Sequence, residues 1–425
     1  MTSPSIPTAA SLPPTAAADG DGNSPWLRLL PALADDDPDE AAVTDALLEA
    51  VDLPADLAAL VEGLADRLEN ATAVGTRRAY AADWAEFADW TARHRLEALP
   101  AEPRTVALYV TAQQDRLRPA TLLRRLSAIA VAHRTAGHPS PTSAELVRRA
   151  VAGLRRKHGA RPAGKTALVT APLAVICGRL HAQETAADQV VAAAADLSGA
   201  PGAAAARRRL AGRVRAARAG ALRARRDRAL LLVGYAAALR RSELVALDLG
   251  DLTETEQGLQ VFIARSKTDQ AALGDFVGIT HGHPVDSCTV TCPIRAWAGW
   301  RDMLGTELDR LGEPLHPQAP AFRPLTRHGQ IGVPGQLDPH ARLTGQSVAL
   351  IVKNAVALLD DPDRHPPQAY AGHSLRAGFA TQAAAAGVPL DRIMRQTRHS
   401  NVAVALRYIR PGEIWHDNPS AALGL

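Results

Sequence analysis

RDRALLLVGYAAALRRSELVALDLGDL, residues 226–252, and GLQVFIARSKTDQAALGDFVGIT, residues 258–280, decide the fold between them. The first reads as two helices joined near Leu239 and Arg240, because its apolar residues recur at helical intervals on either side of the paired arginines. The second has a β-rich run, a polar turn and another β-rich run, which is the pattern of a hairpin. Working outward, helices are expected at Pro293 to Asp309, Gly345 to Leu359, Ser374 to Ala386, Leu390 to Arg398 and Val402 to Ile409. Thr344 and Ser374 stand where N-caps belong and Gly387 where a C-cap glycine belongs, with Pro293 and Pro389 at helix starts. The carboxyl-terminal domain is therefore mixed α/β, mostly helical, with a small antiparallel sheet, and the chain as a whole is mainly α.

Upstream, residues 71–158 read as a separate helical unit. In its first helix, Thr76 to Arg93, Tyr80, Trp84, Phe87 and Trp90 fall at spacings of 4, 3 and 3, the ordinary signature of a face turned toward a core rather than of a base-stacking platform. Three more helices follow, near Pro103 to Arg116, Ala120 to Ala136 and Ser143 to His158. Residues 159–166 have linker composition, and residues 167–425 form the second domain. Within it, about 184–220 is rich in Ala, Gly and Arg, and from Pro201 to Leu230 ten arginines face one aspartate. That stretch lacks large apolar residues and is expected to be an inserted loop, mobile or laid along phosphate. Residues 1–40 read as a disordered acidic tail, and 41–70 as a helical extension.

The charge is unevenly placed. The first 70 residues hold 14 Asp or Glu against Arg28 and Arg67, a balance of −12 in a chain whose total is +4, so the remainder carries +16. Residues 71–160 alone hold 15 basic and seven acidic side chains. Such a surplus favours a polyanion by releasing its condensed counterions, with nucleic acid the first candidate. Arg77, Arg124, Arg125, Arg155, Arg156 and Lys157 are the expected phosphate contacts of that unit. Three cysteines are too few for a disulfide framework, which points to a reducing compartment. The amino terminus lacks the basic and apolar regions of a signal peptide, and the longest apolar run, Ala229 to Leu239, is short for a membrane span. The expected location is the cytoplasm.

Chemistry-bearing residues come in a fixed order. ALRRSEL places Arg240 three residues before Glu243, which is able to orient its guanidinium. ARSKTDQ sets Lys267, one of only four lysines, in the hairpin turn. HSLRAGF puts His373 and Arg376 on one helix face. QTRHSN supplies His399, and nine residues later ALRYIRP supplies Tyr408. Taken singly, each is unremarkable in a chain with 44 arginines.

Together they resemble the tyrosine recombinases, the phage integrases and their relatives, over residues 71–425. The resemblance implies a helical core-binding (SAM-like) domain over 71–158 and a catalytic domain after it, the two closing around duplex DNA as a clamp. It also implies a site-specific DNA recombinase that breaks and rejoins strands through a 3′-phosphotyrosyl intermediate, with no cofactor, no metal and no nucleotide. Arg240, Lys267, His373, Arg376, His399 and Tyr408 become the catalytic set, with Glu243 in support. Four protomers would assemble on two DNA sites, with accessory DNA-bending or directionality proteins as further partners. The tail after Tyr408 would pack on its own domain or dock on a neighbouring protomer. Two departures stand out: the arginine-rich insertion ahead of ALRRSEL, and TRH at residues 397–399 where many relatives have LGH.

Two other functions fit parts of this pattern. A type IB topoisomerase shares the nucleophile but relaxes single DNA molecules, and the helical amino-terminal module argues against it. A non-enzymatic DNA-binding protein on the same scaffold would have lost catalytic groups, whereas all six are present. THGHPVDSCTVTCP brings His281, His283, Cys288 and Cys292 within 12 residues, a chemically suitable zinc set whose spacing matches no standard zinc signature. No phosphate-binding GxxxxGK[ST] or dinucleotide GxGxxG motif occurs.

Overall fold

The computed structural model describes residues 74–158, 164–196, 204–264, 274–282, 290–332, 338, 341–399, 401–406 and 420. The acidic tail and the extension expected over 1–70 lie outside the described residues. The chain divides into two compact units, Met1–Pro162 and Ala163–Leu425.

Among the described residues, the first unit has four α-helices: α1 (Val74–Arg93), α2 (Pro103–Gln113), α3 (Pro119–Thr135) and α4 (Glu145–His158). Proline opens α2 and α3 at positions whose missing N–H would have had no helical partner anyway. The aromatic stripe of α1 is core, as its spacing predicts. Trp84, Phe87 and Trp90 are buried against Val106, Tyr109, Leu122 and Ile129, and the Phe87 and Tyr109 rings meet edge-to-face with centroids 5.1 Å apart. His133 lies fully buried among them.

The second unit begins with two long helices, α5 (Thr170–Asp196) and α6 (Ala204–Ala236), packed along each other. This corrects the expectation of a loop over much of the Ala/Arg-rich stretch. Alanine, leucine and arginine are strong helix formers, and small side chains such as Ala187, Ala219, Ala221 and Ala224 are buried here where bulkier ones are not needed. Several of the arginines have acidic partners across the pair. Arg228 donates from Nε and Nη2 to the two oxygens of buried Glu184, at 2.8 and 3.0 Å, and Arg225 pairs with Asp188.

After α6 come the short α7 (Arg241–Ala246) and a three-stranded antiparallel sheet in the order β1 (Leu252–Thr255), β2 (Gly258–Ile263), β3 (Asp275–Thr280). The expected hairpin is β2–β3, in register from Gly258↔Thr280 to Ile263↔Asp275; β1, too short to stand out in the sequence, adds to its other side. Then follow α8 (Pro293–Asp309), α9 (Gly345–Ala357), α10 (His373–Ala385) and α11 (Leu390–Thr397), with a helical turn at 402–406. Thr344 caps α9 as expected, its hydroxyl accepting the Ser347 N–H. Ser374 does not cap α10: the helix starts one residue earlier, and the Ser374 hydroxyl accepts the Ala371 N–H instead. Trp297 and Trp300 of α8 are fully buried in the core, each contributing about 4–6 kcal/mol on area alone. Among the described residues, no helix is long and apolar enough to cross a membrane.

Candidate active site

The turn between α6 and α7 is the floor of the site. Ala238 takes the left-handed conformation, φ 49°, which reverses the chain so that Arg240 arrives at the N-cap of α7 in extended geometry. Glu243, one turn on and almost wholly buried, accepts the Arg240 N–H at 2.7 Å and Arg240 Nη1 at 2.6 Å. Burial pushes this carboxyl toward its neutral form. The Arg398 charge, the Arg240 N–H and the Arg240 guanidinium outweigh that push and hold it below the usual carboxylate range.

Arg376 and His373 come from the first turns of α10. The segment 164–169 crosses that helix so closely that Leu168 N–H donates to Ser374 O at 2.9 Å. A Cβ on Gly378 would stand 1.9 Å from the Leu168 carbonyl oxygen, so only glycine fits there. Arg376 is buried, and its Nη1 donates to Ala238 O at 2.8 Å. His373 remains exposed to solvent, yet its proton affinity is lowered by partial desolvation of the ring, then by the charges of Arg376, Arg240 and Arg241.

His399 stands at the end of α11. Its Nδ1 is 2.8 Å from Thr397 Oγ1. Burial lowers its pKa to about 4, helped by the charges of Arg376, Arg240, His373 and Arg398. The side chains of Arg240, His373, Arg376 and His399, drawn from three separate parts of the chain, are therefore close enough to feel one another. Glu243 lies beneath them. Lys267 and Tyr408 lie outside the described residues. The strands on either side of the Lys267 segment are held together at the Ile263↔Asp275 pair. The helical turn before Tyr408 is anchored by buried Ala405, clustered with Ala380, Ala384 and Ile393.

Three further residues belong to this site. Arg398, at φ 52°, donates from Nη2 to Glu243 Oε2 at 2.7 Å and receives Arg240 Nη2 on its carbonyl at 3.3 Å. Gln396 donates from Nε2 to Ala236 O at 2.9 Å and to Gly278 O of β3 at 3.0 Å. Arg241 is exposed, and its side chain lies over Gly345 and Gly372, where added Cβ atoms would come within 2.7 Å of Nε and 3.2 Å of Cγ. Only the TRH departure at 397–399 hinted at any of them.

Of the expected phosphate contacts, Arg155, Arg156 and Lys157 are exposed at the end of α4, where Lys157 Nζ lies 3.6 Å from Asp115. Arg77 is half-buried near the start of α1. Arg124 instead grips buried Asp83 with Nε and Nη2 at 2.7 and 3.0 Å, and Arg125 Nη1 donates to Tyr109 Oη at 2.6 Å. Among the described residues there is no group of three or more metal-ligating side chains. Cys292 Sγ and His281 Nδ1 are 3.5 Å apart, while His283 and Cys288 lie outside the described residues. Cys177 is buried, and burial pushes its thiol up to about 12, so it is no nucleophile at neutral pH.

No family model matches the chain. The integrase/recombinase xerD homolog of Selenomonas ruminantium is 34% identical over 355 residues, spanning 83% of this chain and 86% of that protein. Among solved structures, the XerH site-specific recombinase bound to palindromic difH substrate, in its post-cleavage complex, aligns with a TM-score of 0.51 at 12% identity over 94% of this chain and 95% of that one. The pre-cleavage complex of XerH with difH covers the same shares at a TM-score of 0.45. A third of the residues shared along most of both chains is more than a common fold demands, and the chain belongs to the tyrosine recombinase family, the site-specific recombinases that cut and rejoin DNA.

Proposed function

We propose that Arg240, Lys267, His373, Arg376, His399 and Tyr408 carry out strand exchange on duplex DNA, with Glu243 holding Arg240. A phosphodiester repels nucleophiles, so displacement needs its charge neutralised, an oxygen aligned for attack and a protonated leaving group. Arg240 and Arg376 offer permanently charged forks suited to the two non-bridging oxygens. The Tyr408 oxygen attacks phosphorus, passing its proton to His373. The bond from phosphorus to the 5′ oxygen breaks, and Lys267 supplies the proton that oxygen takes up. A phosphotyrosyl ester replaces the phosphodiester, so the reverse attack by a 5′ hydroxyl reseals DNA with no outside energy source.

The observation that carries this reading is the set of shared partners around one turn. Arg376 and Arg398 both donate to Ala238 O, and Arg240 donates to the carbonyl of the residue before His399. Two arginines and two histidines so gathered suit one small anion. In the same reading, residues 71–158 are the core-binding domain, with Arg77, Arg155, Arg156 and Lys157 on phosphates. Residues 167–425 are the catalytic domain, and four protomers act on two sites in the cytoplasm, where accessory DNA-bending proteins can assist. Incubation with a nicked suicide duplex carrying the DNA that flanks the gene should trap a covalent adduct that Tyr408→Phe abolishes. An adduct that survives that substitution, or none on any such duplex, overturns it.

A further inference from the structure

Arg398 occupies a backbone conformation, φ 52° and ψ 48°, in which any L side chain crowds its own carbonyl and glycine does not. It ends α11 as its C-cap, a place glycine fills at lower cost. What distinguishes the arginine from a glycine at this place is its side chain. That side chain is almost wholly buried, 5% exposed, so it is out of reach of a substrate.

Its bonds form a closed circuit. Arg398 Nη2 donates to Glu243 Oε2 at 2.7 Å. The other oxygen of that carboxylate, Oε1, accepts Arg240 Nη1 at 2.6 Å. Arg240 Nη2 then donates to the main-chain carbonyl of Arg398 at 3.3 Å, which closes the ring. Arg398 Nη1 further donates to Gln396 O at 3.0 Å and to Ala237 O at 3.3 Å, and Nη2 reaches Ala238 O at 3.5 Å. That last carbonyl also accepts Arg376 Nη1. Both arginines of the phosphate clamp are thus referenced to groups that Arg398 touches, and the residue after it is His399.

Resting on the active-site reading above, we propose that Arg398 is a positioning residue for strand cleavage: by sharing Glu243 with Arg240 and pinning the α6–α7 turn, it fixes the Arg240 fork relative to His399. Two physical effects follow. With Arg398 drawing on the same carboxylate, Arg240 is less neutralised by Glu243 and keeps more of its charge for phosphate. With the ring closed, the Arg240 plane cannot rotate about its long side chain, and the donors are set before DNA arrives.

Glycine makes the decisive variant, because it removes the guanidinium while relieving the backbone. If Arg398 were only a helix terminator, Arg398→Gly would be neutral or better. A positioning role predicts that Arg398→Gly, in the full-length protein, binds DNA with unchanged affinity but forms the covalent adduct about 10- to 100-fold more slowly at saturating duplex, the loss typical of misplaced reacting groups. Arg398→Lys should recover part of that rate, since an ammonium can reach Glu243 without reproducing the fork. Arg398→Asn tolerates the left-handed conformation and carries no charge, so it should behave like the glycine variant, and it serves in place of that variant should the latter not stay folded. Wild-type rates in the glycine or asparagine variant overturn the role of Arg398 alone. A wild-type protein that forms no adduct overturns the reading of the site, and this role with it.

Discussion

Thr397 Oγ1 lies 2.7 Å from the Ile393 carbonyl and 2.8 Å from Nδ1 of His399, and a hydroxyl whose one proton goes to the carbonyl accepts from Nδ1. In that arrangement the hydroxyl selects the ring's tautomer, with the proton of the neutral ring on Nδ1. Thr397→Val keeps the shape and removes that acceptor. Adduct formation should slow about tenfold, a modest loss for a group acting through another, and the nitrogen-15 signals of His399 should move toward a mixture of tautomers. An unchanged spectrum would mean that something other than the threonine sets the ring.

His399 titrates far below an ordinary histidine, at about 4, and His373 is lowered as well. Both are neutral in the DNA-free protein at neutral pH. Groups whose folded proton affinity is lowered contribute stability that is complete above the unfolded value, about 6.5, and lost as the pH falls through it toward the folded value. The same sign applies in the first unit to His133, whose Nε2 accepts the Ala101 N–H at 2.8 Å while Nδ1 faces the Ile129 carbonyl at 2.8 Å. Burial lowers its proton affinity. Exchange of the Ala101 amide should accelerate as the pH drops below about 6.5, after correction for intrinsic rates, by at most about tenfold per pH unit for this single site. A flat profile would show that opening of this bond is not coupled to protonation of His133.

DNA affinity separates the exposed arginines from the tethered ones. Arg155→Ala and Arg156→Ala should each weaken binding uniformly across sequences and lower the salt slope by about one. Arg124→Ala should act mainly on stability, because its fork serves Asp83. Asp83→Ala leaves Arg124 and Arg125 without that carboxylate and should cost about 2 kcal/mol, less than a fully buried pair because Arg124 is half exposed. Urea melts and salt-dependent anisotropy read the two effects apart.

Gly378→Ala should be among the most damaging single substitutions in the second unit. The added methyl meets backbone at Leu168, which has no side-chain rotamer to yield. The loss should be 3 kcal/mol or more, at the upper end for overpacking, and should displace His373 and Arg376 together. A melting temperature within a degree or two of wild type would show that residues 164–169 can lift away at little cost.

Much of this was legible from residue order. Pro293 at the first helical position marked the start of α8, and the tyrosine recombinase resemblance picked out Arg240, His373, Arg376 and His399, which lie near one another. What escaped reading has physical causes. The α5–α6 pair looked like a loop because burial was sought in large apolar residues, whereas here alanine faces approach closely and Glu184 and Asp188 answer the arginines. Strand β1 has a single buried position, Leu252, too little for a periodic signal. Arg398 was invisible as a site residue because its partner Glu243 is 155 positions away, and only the left-handed turn aims it there.

Gln396 ties two distant parts of the second unit with one amide group, one hydrogen on the last residue of α6 and the other on the middle of β3. The β2–β3 ribbon, whose two strands flank the segment containing Lys267 in sequence, is thereby geared to the turn that Arg376 and Arg398 bond to. Any rocking of the ribbon that stretches this linkage by an ångström must either snap it or drag the α6 terminus along, so the sheet and the turn that receives Arg376 move as one.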